Sequence, residues 1–502
     1  MSSEKMGRAS LELRGHEDES KIVDAELAKT GSFENIEVGR LAKLESIGLE
    51  TRGIKPVPPE ERQDTQYYKL FFVWFSANCN ILSFSAGTLG PAIFGLGTRD
   101  SCLTILFFEL LFCLMPAYAS TWGPKLGMRQ MVISRYSFGY YGVLLCCLLN
   151  LIGMCGFSIL NCILGGQALS SVSDEHLSWT VGIVVIGIIS LLVSFCGLSV
   201  LNWYERIVWF PIIITLAIAL GLGGSNLSGT TYEPATARGV LSFVSTLAGF
   251  TITWTPLASD FSLYFKEDVK SWRIFLHSYL GFVLSTIPFQ CAGAAVMAAA
   301  PSVPLWQERY ALGDVGGLLE AMLQPVHGFG KFLTVLLSLS VIGNMAITFY
   351  SMAFNLQLCI PFFLKVPRYV FCVVGTAIVI PLSIAGQHRF YDTLINFLSL
   401  LGYWAAAFTT IIFMEHYYFR KNDFSLYDPE MWNSPSLLPT GLPAVAAVIF
   451  SFGPVIPCMD QVWYVGPIAE KTGDIGFEMA FVVSAILYFV FRSLEIKWRG
   501  RI

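Results

Sequence analysis

The sequence predicts an all-α integral membrane protein in which two of the membrane helices are broken. Three observations predict it. The chain is 54% hydrophobic and only 14% charged, against about 25% charged residues in soluble domains. From Leu70 to about Leu494, apolar runs follow one another, each near the roughly 20 residues that a helix needs to cross a bilayer. Two runs, Trp74–Gly97 and Val240–Ala258, mix breakers with hydroxyl and amide side chains. A helix that only anchors has no use for that mixture. A helix that opens its backbone inside the membrane needs it, because freed N–H and C=O groups must face a ligand or a water-filled cavity.

Residues 1–69 form a polar tail rich in Glu, Asp, Lys and Arg, ending in the stiff connector Lys55-Pro56-Val57-Pro58-Pro59. Helical patterning near Ile36–Leu49 is weak, and the composition is that of a disordered segment. The start MSSEKMGRAS lacks the apolar core of a signal peptide, so the first membrane helix is expected to direct insertion. Twelve spans then centre near Phe84, Leu111, Cys155, Ile189, Thr215, Leu247, Pro288, Ile347, Ala377, Ala405, Ala447 and Ala485. Residues 70–494 make a twelve-helix membrane domain and 495–502 a short cytoplasmic C-terminal tail.

Orientation follows from the loops. The even-numbered loops hold Lys125, Arg129 and Arg135; Arg206; Lys266, Lys270 and Arg273; Lys365 and Arg368; Arg420 and Lys421. The odd-numbered loops hold single cations: Arg99, Arg238, Arg309, Arg389 and Lys471. The excess of Lys and Arg marks the cytoplasmic side, which puts both termini in the cytoplasm. The sequon Asn226-Leu227-Ser228 then falls in an outside loop, making Asn226 a glycosylation candidate.

Other chemistries find little support. A net charge of −4 gives no reason to expect nucleic acid. The twelve cysteines lie mostly within apolar runs and lack zinc-like spacing, so they read as small core residues rather than a metal site or a disulfide frame. The six histidines are scattered, and Asp260 and His416 sit at span boundaries, where they read as interfacial. A membrane enzyme would need a cluster of His, Asp or Cys at one face, and the sequence brings none together.

The broken sixth span carries Gly249, Thr251, Thr253, Trp254 and Pro256. It and the first span occupy corresponding places in two five-helix halves. That pairing is the sequence mark of a transporter with inverted repeats and a site at mid-membrane; the plainer alternative is that small residues let helices pack closely. The third span adds Asn150, Asn161 and Gln167, with Phe157 one turn before Asn161. The eighth adds Ser338, Ser340, Asn344 and Thr348, the last two on one helix face. Buried amides suit a planar polar ligand, on which Trp254 and Phe157 would stack. Glu109 is the acidic residue at the middle of a span and the candidate to carry a proton. Gln290 is a lesser polar candidate.

These residues sit in a recognisable frame. The run Glu50-Thr51-Arg52-Gly53-Ile54 through Pro58, Arg62 and Asp64-Thr65, followed by WFSANCNILSFSAGTLGP, resembles the fungal purine–cytosine permeases of the nucleobase–cation symporter-1 family. So do Gly127 to Val132 with Ser134-Arg135-Tyr136 and Phe138 to Gly142, and Asn202-Trp203-Tyr204-Glu205-Arg206. The resemblance implies a leucine-transporter-like fold of twelve helices, a 5+5 inverted repeat with two additional helices. It also implies proton-coupled uptake of cytosine or purines across the plasma membrane, with the proton as the coupling ion and no other cofactor. By motif position the substrate contacts fall on Ser83 or Ser85, Asn161, Trp254 and Asn344, and Phe157 stands where nucleobase carriers often have Trp. The eighth span departs: Asn344-Met345-Ala346-Ile347-Thr348 replaces a motif resembling Asn-Asn-Ile-Pro-Asn. Carriers of another N-heterocycle such as pyridoxine, or a permease-like sensor that does not transport, are the alternatives.

Overall fold

The computed structural model describes residues 53–173, 176–195, 203–227, 234–310 and 314–502. The first span is broken, as its polar residues predict, but the break lies earlier than the glycines suggest. Helix α1 (Tyr68–Asn78) and helix α2 (Ile81–Ala92) meet at 54°. Between them Cys79 and Asn80 leave helical geometry, Asn80 at φ −150° and ψ 170°. Asn80 caps α2 by accepting from the Ser83 N–H at 2.9 Å, and its Nδ2 donates to the Ala77 carbonyl at 2.6 Å. The Ser83 hydroxyl donates to the Asn78 carbonyl at 2.5 Å. Asparagine and serine are suited to this because they satisfy nearby backbone groups outside a helix.

Gly87, Gly90 and Pro91, expected to open the backbone, lie instead within or at the end of a continuous α2. The plainer reading of small residues holds there. Helix α3 spans Thr98–Phe112, α4 Gln130–Val172, α5 Trp179–Ser194, α6 Trp209–Gly223, α7 Ala237–Thr251 and α8 Ser271–Ala299. A methyl group at Gly87 would stand 1.9 Å from the Gln290 carbonyl oxygen, and one at Gly293 1.9 Å from that of Phe84. So α2 and α8 touch backbone to backbone, as small residues allow in membranes.

The sixth span breaks differently. After α7 the chain tightens into a 3-10 segment, Ile252–Phe261, which carries Trp254 and Pro256. Helices α9 (Val315–Leu323), α10 (His327–Leu339), α11 (Val341–Cys359), α12 (Arg368–Gly386), α13 (Phe390–Met414), α14 (Leu442–Val455) and α15 (Gly476–Arg499) follow. A two-stranded antiparallel hairpin, Asp460–Gln461 with Tyr464–Val465, joins the last two.

Among the described residues eight helices are long and apolar enough to cross a membrane, or nine if α1 and α2 count as one span. The expected twelve is not reached on that measure. The candidates centred on Ile189 and Ala447 are the shorter apolar helices Trp179–Ser194 and Leu442–Cys458, and those centred on Ala377 and Ala405 merge in the composite Tyr369–Phe419. The chain is a multi-pass membrane protein. The segments Ala237–Phe261 and Val315–Cys359 are the most enclosed, whereas Gly476–Arg499 and Trp203–Leu227 leave most of their apolar surface outside.

The stretch before α1 packs on the bundle. Val57 donates its N–H to the Gly127 carbonyl at 2.8 Å, Arg62 Nη1 donates to the Pro124 carbonyl at 2.7 Å, and Asp64 pairs with Phe265 in an isolated bridge. Ile36–Leu49 lies outside the described residues. At the far end of α13, a π-turn (Glu415–Phe419) holds a buried ion cluster. Glu415 accepts from Arg420 at 3.1 Å, from Arg492 at 2.9 Å and from the Tyr488 hydroxyl at 2.8 Å, and Arg492 also reaches Glu495 at 2.5 Å.

Removing one partner of a buried pair costs about 3–5 kcal/mol. Arg492→Met should therefore lower the thermal midpoint of the purified protein in detergent by several degrees. A midpoint within error of the wild type would show that Arg420 and Tyr488 together suffice for Glu415.

Candidate functional site

A small cavity of about 20 Å³ lies where the 3-10 segment of the broken sixth span meets α4, α11 and α13. Helix α4 contributes Asn150, Gly153, Met154 and Phe157; the 3-10 segment contributes Thr253, Trp254 and Leu257; α11 contributes Asn344 and Thr348; α13 contributes Leu401 and Trp404. Four of the expected substrate contacts, Phe157, Trp254, Asn344 and Thr348, thus share one small chamber.

The walls are held by packing. Trp254 stands edge-on to Trp74 of α1, with ring centroids 5.6 Å apart at 69°. Phe157 stands edge-on to Phe397 at 5.3 Å and to Phe250 at 6.3 Å. Rings locked by T-shaped contacts keep their orientation, so both can present a fixed surface to a planar guest. Thr253 donates to the Gly249 carbonyl at 2.8 Å, which bonds the chain back to α7 where the helix type changes.

The polar groups form two chains that end at the cavity. In one, Asn161 Nδ2 donates to Asn344 Oδ1 at 2.9 Å, and Asn344 Nδ2 donates to the Ala77 carbonyl at 2.9 Å. Ala77 belongs to the last turn of α1, so α11 stabilises the break in the first span directly. Ser340 does the same from the other side, accepting from the Ile81 N–H at 3.1 Å. In the second chain Asn150 Nδ2 donates to Asn355 Oδ1 at 3.1 Å, and Asn355 Nδ2 to the Ser351 carbonyl at 3.0 Å. Thr348 donates its hydroxyl to the Asn344 carbonyl at 2.7 Å, leaving the oxygen free to accept. The Trp404 indole N–H is buried without a partner, a cost that a ligand acceptor would remove.

Three sequence candidates stand off the cavity wall. Asn161 reaches it only through Asn344. Ser83 is bound to the Asn78 carbonyl and braces the break. Ser85 is buried on the same helix and is not among the lining residues. Glu109 is fully buried, but its Oε2 accepts from Thr251 at 2.5 Å and its Oε1 from Gln290 Nε2 at 2.9 Å, so it ties α3, α7 and α8 together. Asn226 is exposed in a 3-10 turn, while Ser228 of its sequon lies outside the described residues.

Sequence reasoning passed over Trp404 and left Asn150 without a role. Trp404 sits in the run GYWAAAF with no amide near it, so its signal is a large ring with a donor in the middle of an apolar span. A second, wider cavity of about 370 Å³ opens beside Arg238, Ser242, Asp460 and Gln461, where Arg238 and Asp460 pair at 3.0 Å.

With this geometry in place, the relatives are informative. Residues 56–478 match the family described as "Permease for cytosine/purines, uracil, thiamine, allantoin". The chain is 35% identical over 486 residues to the purine-cytosine permease fcyB of Emericella nidulans, covering 95% of each chain. It is 30% identical over 519 residues to the vitamin B6 transporter TPN1 of Saccharomyces cerevisiae, covering 91% of this chain and 90% of that one. Among solved structures it superposes on Mhp1, a nucleobase-cation-symport-1 family transporter with bromovinylhydantoin bound, with a TM-score of 0.66 at 17% identity over 89% of this chain and 96% of that one. The fold is therefore the leucine-transporter type that the sequence resemblance implies, and the chain belongs to the purine–cytosine permease family.

Proposed function

We propose that this chain carries a nucleobase, cytosine or a purine, inward across the plasma membrane together with a proton, by alternating access. The observation that carries the reading is the cavity that the broken sixth span forms with α4 and α11, where Asn344 also holds the break in the first span. It is small, walled by Trp254 and Phe157, and edged by Asn150, Thr348 and the Trp404 indole. A flat heterocycle would stack on the rings, while its ring nitrogens and carbonyls meet the amide, the hydroxyl and the indole N–H. Asn161 and Asn344 would hold the edge-reading groups in place, with Ser83 and Ser85 supporting the opposite wall. The broken spans would stay with the substrate while the surrounding helices rock around them. The loop bearing Asn226 then faces outward and both termini face the cytoplasm, as the cation bias supports.

A second reading has its own support. Thr348 and the sequence around it depart from the nucleobase motif, and a vitamin B6 transporter is among the relatives. The Thr348 hydroxyl, its hydrogen already given to the Asn344 carbonyl, offers an acceptor where an amide would also offer donors, which suits a ligand that presents a hydroxyl there. Uptake of labelled cytosine, adenine and pyridoxine in cells lacking their own carriers separates the two. The first reading expects cytosine or a purine to accumulate; pyridoxine alone selects the second. If none accumulates while the protein is at the surface, transport itself is in doubt and a sensor role gains.

Two substitutions test the residue roles. Asn161→Ala should abolish uptake while surface protein persists, since Asn344 loses the donor that orients it; normal uptake would remove Asn161 from the site. Trp254→Ala should raise KM about tenfold or more, one step of about 1.4 kcal/mol in binding. An unchanged KM would place the ring elsewhere.

A further inference from the structure

Glu205 is buried at the start of the span Trp203–Leu227. Among the described residues it alone has both carboxylate oxygens enclosed with no well-formed hydrogen bond, and the Ser76 hydroxyl is the donor that faces it. It has no salt bridge either. Its sequence neighbour Arg206 turns away, donating to Gln66 at 3.2 Å and lying over the Tyr68 ring at 5.1 Å. An isolated charge in such a place is expensive, and an ionisable group inside a membrane bundle marks a coupling path more often than a scaffold. Glu109, the carboxylate that the sequence singled out, is the opposite case, because each of its oxygens already accepts a hydrogen bond.

The surroundings of Glu205 give it a purpose. On one side lie Ser76 and Cys79, at the end of α1 and in the break that follows. The Ser76 hydroxyl is buried too and faces the carboxylate. On the other side lies Gly343 of α11, close enough that a methyl there would stand 3.1 Å from Glu205 Oε1. The titratable groups set against it are Cys79 and the adjacent Tyr204, both neutral at physiological pH and neither a cation. Between Ser76 and Cys79 sits Ala77, whose carbonyl receives the Asn344 amide, and Asn344 directly follows Gly343. The carboxylate therefore sits against the same α1–α11 contact whose residues Asn344 and Thr348 line the substrate cavity.

We propose that Glu205 is the site that binds the coupling proton, and that it couples to substrate through this contact. The proposal rests on the transport reading above. The proton adds to one carboxylate oxygen and leaves from it, with no other bond made or broken. A metal cation would need several oxygen ligands, whereas the wall opposite Oε1 is the Cα of Gly343. Neutralising Glu205 lets α1 and α11 close on it, which holds the Ala77–Asn344 bond and the wall beside it. Both ligands then bias one element, and each favours binding of the other.

Uptake and counterflow of Glu205→Gln test this in cells and in proteoliposomes. The probe is whichever of labelled cytosine, adenine or pyridoxine the wild-type chain accumulates, so a wrong substrate reading changes the probe and leaves the test standing. The variant should lose accumulation driven by an inward proton gradient by tenfold or more, and lose its dependence on external pH. It should keep exchange of labelled for unlabelled substrate at equal concentrations. Glu109→Gln should retain the pH dependence. Wild-type pH dependence and accumulation in Glu205→Gln would overturn the proposal, as would accumulation by the wild type that follows Na⁺ and ignores pH. Should Glu205→Gln fail to reach the surface, Gly343→Ala crowds the carboxylate and should move the pH midpoint of uptake; an unmoved midpoint overturns the proposal equally.

Discussion

The structure depends on one constraint: inside a bilayer, a backbone group released from a helix must find a partner within the protein. The break between α1 and α2 releases several such groups, and side chains answer them. Asn80 and Ser83 act from within the segment, Asn344 from α11 and Ser340 from the residue just before it. The break is thus shared between two parts of the bundle rather than local to one. Asn344 makes the link to function, because the amide that satisfies Ala77 also lines the cavity and is oriented by Asn161. Stabilising the unwound backbone and shaping the cavity are done by the same side chain.

Close packing keeps this arrangement rigid elsewhere. The backbones of α2 and α8 meet at Gly87 and Gly293, and α7 meets α13 at Gly249, where a methyl would stand 1.8 Å from the Leu398 carbonyl oxygen. Such contacts leave little freedom to slide, so motion is directed to the junctions that lack them. The Glu109 tie and the Glu415–Arg492 cluster fix the frame further. Glu205 has no such set of bonds, only the Ser76 hydroxyl facing it, and its place is against the contact between α1 and α11.

The sequence carried the fold class clearly, because apolar runs and breakers are local signals. It also carried the pairing of the first and sixth spans. It misplaced the break: Gly87 to Pro91 resemble helix breakers, but glycine serves tight packing as readily as it does bends, and one sequence does not show which backbone lies opposite. Phe157, Trp254, Asn344 and Thr348 were legible as aromatic or amide and hydroxyl groups in polar helices. Trp404 was not, since an indole in an apolar run reads as core until its unpartnered N–H is seen facing a cavity. Glu205 was read only as part of a family motif. Its isolation depends on where α1 and α11 pass, which no spacing along the chain encodes.

The central claim is that a heterocycle lies beside the shared break, between the 3-10 segment and α11. The most direct measurement is a structure of the purified protein determined with a saturating concentration of the compound that it accumulates. The account predicts a flat density stacked between Trp254 and Phe157, within hydrogen-bonding distance of Thr348, with the Asn344 amide still on the Ala77 carbonyl. Density instead in the wider cavity beside Arg238 and Asp460, or an Asn344 turned away from Ala77 to hold the ligand, would contradict it.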